Sequence, residues 1–515
     1  RRDFLKYTGA AALSFGLAGI VGNEFSPFAS KAYAAQSGGR IRLATFDVSP
    51  GDLLDPQRQL SFSDAIRSYF VFEKLTEIGP NGELIPQLAK SWSADPEAKV
   101  WTFELEPGVV FHDGKPLTAA DVVYSFKRVA NEATASPGAV FAKNIAEVVA
   151  DGDDKVRVTL HSPDSEFPII ASIRYFAVVQ DGVEDFTSAA VGTGPWKLSS
   201  FEPGISALYI RNDDYRQEGL PYIAEIDSFG IGDESARLNA LLSGAADIIQ
   251  GVNAKAVETV RGTGSAEVLI SQPSATATFP MRTDRAPFDN PKVRKALKLA
   301  FDRELFVKLA FDGIGVPGCD HPIPPGDPYY ATELAVPKAN KEEVIRLLTE
   351  AGHADTEFEL HTSDSNYGGS NAAVVLAELM GRNGVKVKVT KHPGDSYWST
   401  IWMNVPWCAS SWTVRPSAIS RIESGYVTGA PQNEAFWSTP EVDQLVVEAK
   451  QELDTEKRKA ILAKAQKLIA ENGGTIVGAF VPWVDGYSTK ITGLEAHPIL
   501  FGGSGLWGRV KVEEA

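Results

Sequence analysis

The chain has 515 residues, of which 43% are hydrophobic and 23% charged, and its formal charge is −16. That length calls for two or three cores and that composition excludes bulk disorder. The acidity disfavours nucleic acid and anionic membrane as partners, because both need a basic footprint, and no nucleic-acid partner is expected.

Arg1-Arg2-Asp3-Phe4-Leu5-Lys6 precedes an apolar run at residues 10–21 and the small-residue site Ala32-Tyr33-Ala34. This is the layout of a twin-arginine export signal, cleaved after Ala34. The run falls short of the about 20 residues that a membrane span needs, and no Cys follows it to carry a lipid. A periplasmic protein is expected, with residues 1–34 removed.

After a linker at 36–39, residues 41–46 predict a strand ending at Phe46. Residues 69–75 predict a short buried helix that leads into the Gly79-Pro80-Asn81-Gly82 turn. Trp101, Phe103 and Leu105 then alternate with Thr102 and Glu104, the period of a half-buried strand. Pro107-Gly108 and Asp113-Gly114 supply turns around Val109–Phe111. Thr118 and Asp121 make a box-like helix start, with Val122, Val123, Phe126 and Val129 on the buried side. Another strand is expected at 156–160.

The run Gly192-Thr193-Gly194-Pro195-Trp196 sets backbone angles at a crossover and lacks the length and lysine of a phosphate loop. Residues 233–243 predict a helix stopped by Gly244, and 246–249 a strand. That alternation suits an α/β domain. Residues 278–283 are extended, Asn290 caps a helix with Pro291 in its first position, and a second helix begins at Asp302. Gly313 to Gly318 fits GxGxxG formally, but it follows a helix and contains Pro317, so no nucleotide loop is inferred.

From 358 the pattern is β-α-β: 358–362, 371–383 with Gly384 as the stop, and 385–389. The loop at 363–367 leaves the carboxyl end of a strand, where open α/β sheets bind ligands. Asp364 and Asn366 are therefore candidates, with a solvated turn as the alternative. Helices are expected at 440–453 and 456–470. The seven histidines are scattered and no HExxH, GxSxG or GxxxxGK[ST] occurs, so no catalytic residue, metal or cofactor is expected. His112-Asp113 is a turn more simply than an acid–base pair. Six of the ten tryptophans lie between Trp398 and Trp483. Trp398, Trp407 and Trp412 fall outside helical periodicity and are candidate ligand walls, with core packing as the alternative.

Residues 101–128, WTFELEPGVVFHDGKPLTAADVVYSFKR, resemble almost residue by residue the marker segment of the extracytoplasmic solute-binding proteins of peptide/nickel-type ABC transporters, the dipeptide- and oligopeptide-binding family 5. LTEIGPNGELIPQLAKSW at 75–92, the Gly192–Leu198 run and PFDNPKVRKALKLAFDR at 287–303 continue the likeness, which extends from Ile41 to the C-terminus. The resemblance implies an α/β, two-lobed periplasmic binding protein of the large three-domain peptide-binding type. Domain I would comprise 35–67, 191–283 and 486–515, domain II the insertion 68–190, and domain III 284–485. Strands near Thr283 and Asp485 would form the hinge, and domain II would lie away from the cleft between domains I and III. It further implies a monomer that captures a small solute, docks on ABC permease subunits and catalyses nothing.

Oligopeptide-binding relatives carry an acid shortly after a Trp-Cys or Gly-Trp step and pair it with the ligand's ammonium. In Val405-Pro406-Trp407-Cys408-Ala409-Ser410-Ser411-Trp412-Thr413-Val414-Arg415-Pro416 the matching position is Ser410, or Val414 or Arg415 in a shifted match. None is acidic. Arg415 suits a carboxylate or phosphate through two charge-assisted hydrogen bonds, unless it pairs with Glu423 or another surface acid. Arg282, where relatives more often have an uncharged residue, is a second anion contact or an ordinary ion pair. The candidate ligand set is Phe46, Arg282, Asp364, Asn366, Trp398, Ser410, Ser411, Trp412 and Arg415. The ligand is expected to be a peptide or peptide-like compound, the alternative being an acidic sugar, opine or other non-peptide anion. An exported hydrolase is the alternative of another class. Some relatives have a bridge in the third domain, which implies a Cys319–Cys408 disulfide here; two buried free thiols are the other reading.

Overall fold

The structure, a computed structural model, describes residues 38–366, 368–413, 415, 417–498 and 506–513. The expected signal segment and Val414 lie outside the described residues. The first sheet has seven strands, in the spatial order Ala266–Ile270, Val484–Ser488, Ile248–Ile249, Arg40–Thr45, Glu225–Gly230, Ser206–Arg211 and Trp196–Glu202. Arg40–Thr45 runs parallel to both of its neighbours and buries Ile41, Leu43 and Ala44. Phe70, from the helix Phe62–Val71, packs on Trp196, Tyr209 and Trp507 at ring separations of 5.4, 5.2 and 5.1 Å. The helix is earlier than the expected 69–75. Ser61 and Asp64 form a capping box that starts it, and residues 76–78 are already strand. The apolar run at 69–72 is buried because it spans the end of the helix and the passage into the insertion.

The insertion has its own antiparallel sheet, ordered Ala89–Ala94, Val100–Leu105, Lys155–Leu160, Ile145–Ala150. The helix Ala119–Ala130 covers it, starting at the expected Thr118–Asp121 capping box. Val122, Phe126 and Val129 meet Trp101, Phe103 and Leu105 in one core. The unit is tied to the first sheet at the glycine run. A Cβ on Gly192 would stand 2.0 Å from the Val71 carbonyl oxygen, and one on Gly194 2.6 Å from that of Phe70, so only glycine fits. His112 meets the same run through its backbone N–H on Gly192 and its Nε2, 2.9 Å from the Gly194 oxygen. Burial holds its imidazole near pKa 4, neutral, in keeping with a packing role.

The second lobe is built on a four-stranded sheet ordered Val316–Pro317, Thr475–Val481, Ala275–Pro280, Ser410–Trp412. Beside it Glu357–Thr362 and Lys386–Lys391 pair in parallel, with the helix Gly369–Arg382 between them in sequence. The chain passes between the lobes at 271–274 and at 482–483, the first about ten residues before the expected Thr283 and the second next to the expected Asp485. Ala275–Pro280 is buried throughout because it pairs with strands of the second lobe on both sides.

The lobes also touch beside the first crossing, where Glu166 of the insertion shares a small cavity with Gln272, Pro273 and Ser274. Ser165 of the insertion donates its N–H to the Lys450 oxygen and its hydroxyl to the Ala449 oxygen, each at 2.8 Å, which satisfies open carbonyls at the end of the helix Pro440–Gln451. Glu166 Oε2 accepts the Ile419 N–H at 3.3 Å, inside the first turn of the helix Ala418–Gly425.

The expected Cys319–Cys408 disulfide is corrected: both cysteines are buried free thiols. Cys319 follows one edge strand of the four-stranded sheet and Cys408 precedes the opposite edge strand. Three strand spacings, about 14 Å, separate those edges, well beyond the about 7 Å Cα limit for a bridge. Cys319 Sγ lies 2.9 Å from His321 Nε2, and burial pushes its pKa up to about 11 and that of Cys408 up to about 12.

Both thiols should resist alkylation in the native protein and react after unfolding, and peptide mapping without reductant should find no linked pair. Glu166 supplies a second check. Burial raises its pKa to about 7, above the unfolded value, so its contribution to stability is complete below the unfolded pKa and is lost as pH rises through 7. Between pH 5 and 8 the wild type should lose on the order of 3 kcal/mol relative to Glu166→Gln, measured by denaturant unfolding. Parallel pH profiles of the two proteins would contradict this.

Candidate ligand-binding site

The two crossings lie side by side. Ser271 donates its N–H to the Trp483 oxygen at 2.8 Å, and the Trp483 N–H returns to Ser271 Oγ at 2.7 Å. Cavities open on both flanks of this pair, each walled by Val481, Pro482 and Trp483. One holds about 400 Å³ and draws its walls from Phe62 and Tyr69 of the first lobe, Ser274, Thr413 and Arg415 of the second, and Phe141, Arg174 and Tyr175 of the insertion. Such a volume is ordinary for a small-molecule site, roughly 300–1,000 Å³. The insertion thus lines the cleft, contrary to the expectation that it lies away from it. The other cavity, about 470 Å³, includes Phe46, Arg237, Gly251, Phe311 and Gly368.

An aromatic cluster marks the crossing. Phe46, Phe62 and Trp483 stand 5.6–5.9 Å apart between ring centres, all tilted. Phe46, singled out from the sequence, is therefore a wall of the second cavity. Arg237 lies 5.6 Å from its ring and donates to the carbonyls of Ile231, Gly232, Gln250 and Gly251, so that guanidinium is held by backbone. Gly251 adopts φ 68°, and a Cβ there would press to 3.3 Å from the Trp483 ring.

Ser410–Trp412 is the terminal strand of the four-stranded sheet, with Ser411 opposite Ala277 and Trp412 opposite Thr276. Behind it lies Glu434, 4% exposed, whose carboxylate accepts Trp412 Nε1 at 3.0 Å, Trp402 Nε1 at 2.8 Å and Thr278 Oγ1 at 3.3 Å. Burial raises its pKa, opposed by these donors and by Ser410. The acid missing at position 410 is thus present from a distant segment, but its oxygens are taken up by indoles. Trp412, so fixed, carries the Arg415 guanidinium 5.2 Å from its ring centre. Arg415 Nη2 donates to Gln432 Oε1 at 2.6 Å, and its Nε is buried without a partner. Among the described residues no carboxylate pairs with it; Glu423 takes Lys450 instead, at 2.8 Å. Burial lowers its pKa with no acid to offset the shift.

Of the candidates only Phe46 and Arg415 line these two cavities; Ser410, Ser411, Trp412 and the remaining four do not. Arg282 pairs with Asp284 at 2.6 Å, donates to the Met403 oxygen and lies 3.7 Å from the Phe436 ring centre, the ordinary ion pair that was its alternative. Asp364 is exposed, bound to Lys391 at 2.5 Å and to the Ser370 N–H at 3.1 Å, which holds its carboxyl down to about 2. Asn366 is buried and donates to the Ser363 oxygen at 3.3 Å. Trp398, 38% exposed, meets Tyr397 and Trp402 edge-on. Among the described residues no cluster of three or more His, Cys, Asp or Glu fits a metal ion, and no helix is long and apolar enough to cross a membrane.

Residues 83–420 match the model of bacterial extracellular solute-binding proteins, family 5 Middle. The chain belongs to that family. Similar proteins include the periplasmic oligopeptide-binding protein OppA of Salmonella typhimurium, 25% identical over 484 residues, 85% of this chain and 88% of the relative. Glutathione-binding protein GsiB of Pectobacterium atrosepticum is 26% identical over 496 residues, 91% and 93% of the two chains. In fold, this family 5 protein is similar to HbpA2 from Haemophilus parasuis, with a TM-score of 0.83, 22% identity and coverage of 92% and 100%.

Two residues that line the family 5 protein's 400 Å³ cavity, and one that fixes Trp412 behind it, escape sequence reasoning. Arg174 and Tyr175 belong to a single 3-10 turn without periodicity, and Glu434 sits in a polar loop; neither context signals burial against a ligand wall. Glu434→Ala should strand two indole N–H groups, each costing about 1–3 kcal/mol. Equilibrium unfolding should show a loss of at least about 2 kcal/mol, with a change in tryptophan fluorescence; Glu434→Gln should lose less.

Proposed function

We propose that this protein is the substrate-binding component of an ABC importer, taking a peptide or peptide-like solute with a free carboxylate into the 400 Å³ cavity and presenting it to permease subunits. The carrying observation is Arg415: a guanidinium at the cavity wall, seated on Trp412 and held by Gln432, with no acid paired to it among the described residues. A carboxylate there gains two charge-assisted hydrogen bonds. The adjoining strand Ser410–Trp412 ends its sheet, which suits pairing with an extended backbone. The missing ammonium clamp fits the same picture, since recognition shifts to the acid end of the ligand. OppA and GsiB, named for oligopeptide and glutathione binding, favour this class over an acidic sugar or opine.

The three-domain division belongs to the same proposal, with hinge rotation at 271–274 and 482–483 closing the lobes on the ligand. So do export by a twin-arginine signal cleaved after Ala34, a periplasmic location, a monomeric state and the lack of any catalytic role. Native mass spectrometry of freshly purified protein should release a carboxylate-bearing peptide or peptide-like compound, unaltered and one per chain. Arg415→Ala should weaken its binding by roughly 1.5–3 kcal/mol. Unchanged affinity, or turnover of the compound, would reject the reading.

A further inference from the structure

The charge on the wall of the 400 Å³ cavity is lopsided. Glu77 is the one carboxylate among its described lining residues. It is already engaged, with Oε2 on Lys74 Nζ at 2.5 Å and Oε1 on the Ile78 N–H at 3.0 Å. His497 also faces the cavity, its Nε2 2.9 Å from the Ile78 oxygen, and burial keeps it neutral by lowering its pKa. Against these stand two guanidinium groups on different elements. Arg415 comes from the second lobe and Arg174 from the insertion. Arg174 donates Nη2 to its neighbour's Tyr175 hydroxyl at 2.8 Å and lies 4.9 Å from the Tyr175 ring centre, and among the described residues no carboxylate pairs with it. The Tyr175 contact orients the planar fork while leaving its remaining N–H donors unspent.

The two like charges line one cavity and have no carboxylate partner among the described residues, in a protein whose overall charge is −16. Arg40, Arg42 and Arg346 find carboxylates at the surface; Arg174 differs in sharing its cavity with a second guanidinium that has no carboxylate partner among the described residues. We infer that Arg174 is a second anion anchor, and that the solute carries two acid groups, one for Arg415 and one for Arg174. This rests on the reading that the cavity takes a peptide-like carboxylate, and it makes the inserted domain a determinant of specificity. Aromatic walls from Phe62, Tyr69, Phe141 and Trp483 enclose the part of the solute between the two charges.

The peptides Gly-Gly-Glu and Gly-Gly-Gln, which differ in one acid group, are titrated calorimetrically into the wild type, Arg174→Gln and Arg415→Gln. The wild type should bind the Glu peptide at least tenfold more tightly than the Gln peptide. Arg174→Gln should bring the Glu peptide down at least tenfold, and Arg174→Lys should recover part of that loss. Because Arg174 is half-exposed, the melting temperature of these variants should match the wild type. Equal affinity of both peptides for the wild type, or an unchanged Glu-peptide affinity in Arg174→Gln, overturns the second anchor while leaving Arg415 in its role. Undiminished binding by Arg415→Gln overturns the reading beneath it instead. Binding of neither peptide to the wild type overturns both.

Discussion

The structure depends on a pair of extended segments lying against each other. Residues 271–274 and 482–483 are the two places where the chain passes between the seven-stranded and four-stranded sheets, and the Ser271 and Trp483 hydrogen bonds lock them side by side. Two straps side by side, running antiparallel between antiparallel strand pairs, resist shear and tolerate bending, which is the mechanical requirement of a hinge. Both cavities open against these straps, so any rotation of the lobes changes the shape of the cavities first. The further contact from Ser165 and Glu166 onto the helices of the second lobe lies beside the 271–274 crossing, where Glu166 shares a small cavity with Gln272, Pro273 and Ser274, and its strength depends on the protonation of one buried carboxyl.

The electrostatics of the site run against those of the whole protein. A chain with a large excess of acids leaves two cavity arginines without a carboxylate among the described residues, while the buried Glu434, behind the neighbouring strand, is taken up by Trp402, Trp412 and Thr278. Glu434 bears on Arg415 only through the indole it holds, on which that guanidinium rests. The arrangement inverts the recognition expected of oligopeptide-binding relatives: the acid is withdrawn behind the wall and the base is brought forward.

Much of the scaffold was legible from local rules. The Thr118–Asp121 box, Asn290 before Pro291, Asp302 and Gly384 each act within a few residues of themselves, and each stands where the pattern put it. Errors arose where the apolar pattern was followed without its caps. Residues 69–75 were buried for tertiary reasons, and the Ser61–Asp64 box placed the helix earlier. The site was less legible. Arg415 and the strand at 410–412 were visible as departures from a family pattern, whereas Arg282 and Asp364 looked equally available until their partners Asp284 and Lys391 were seen.

The sequence by itself determined the family, the α/β class, the caps and turns, and the absence of an acid at Ser410, because all of these are carried by residues near one another in the chain. Only the tertiary structure decided that Cys319 and Cys408 stand at opposite edges of one sheet, that Glu434 lies behind Ser410, and that Arg174 shares a cavity with Arg415. Those relations join positions tens to hundreds of residues apart. They are set by sheet order and by how the lobes pack, which no local spacing encodes.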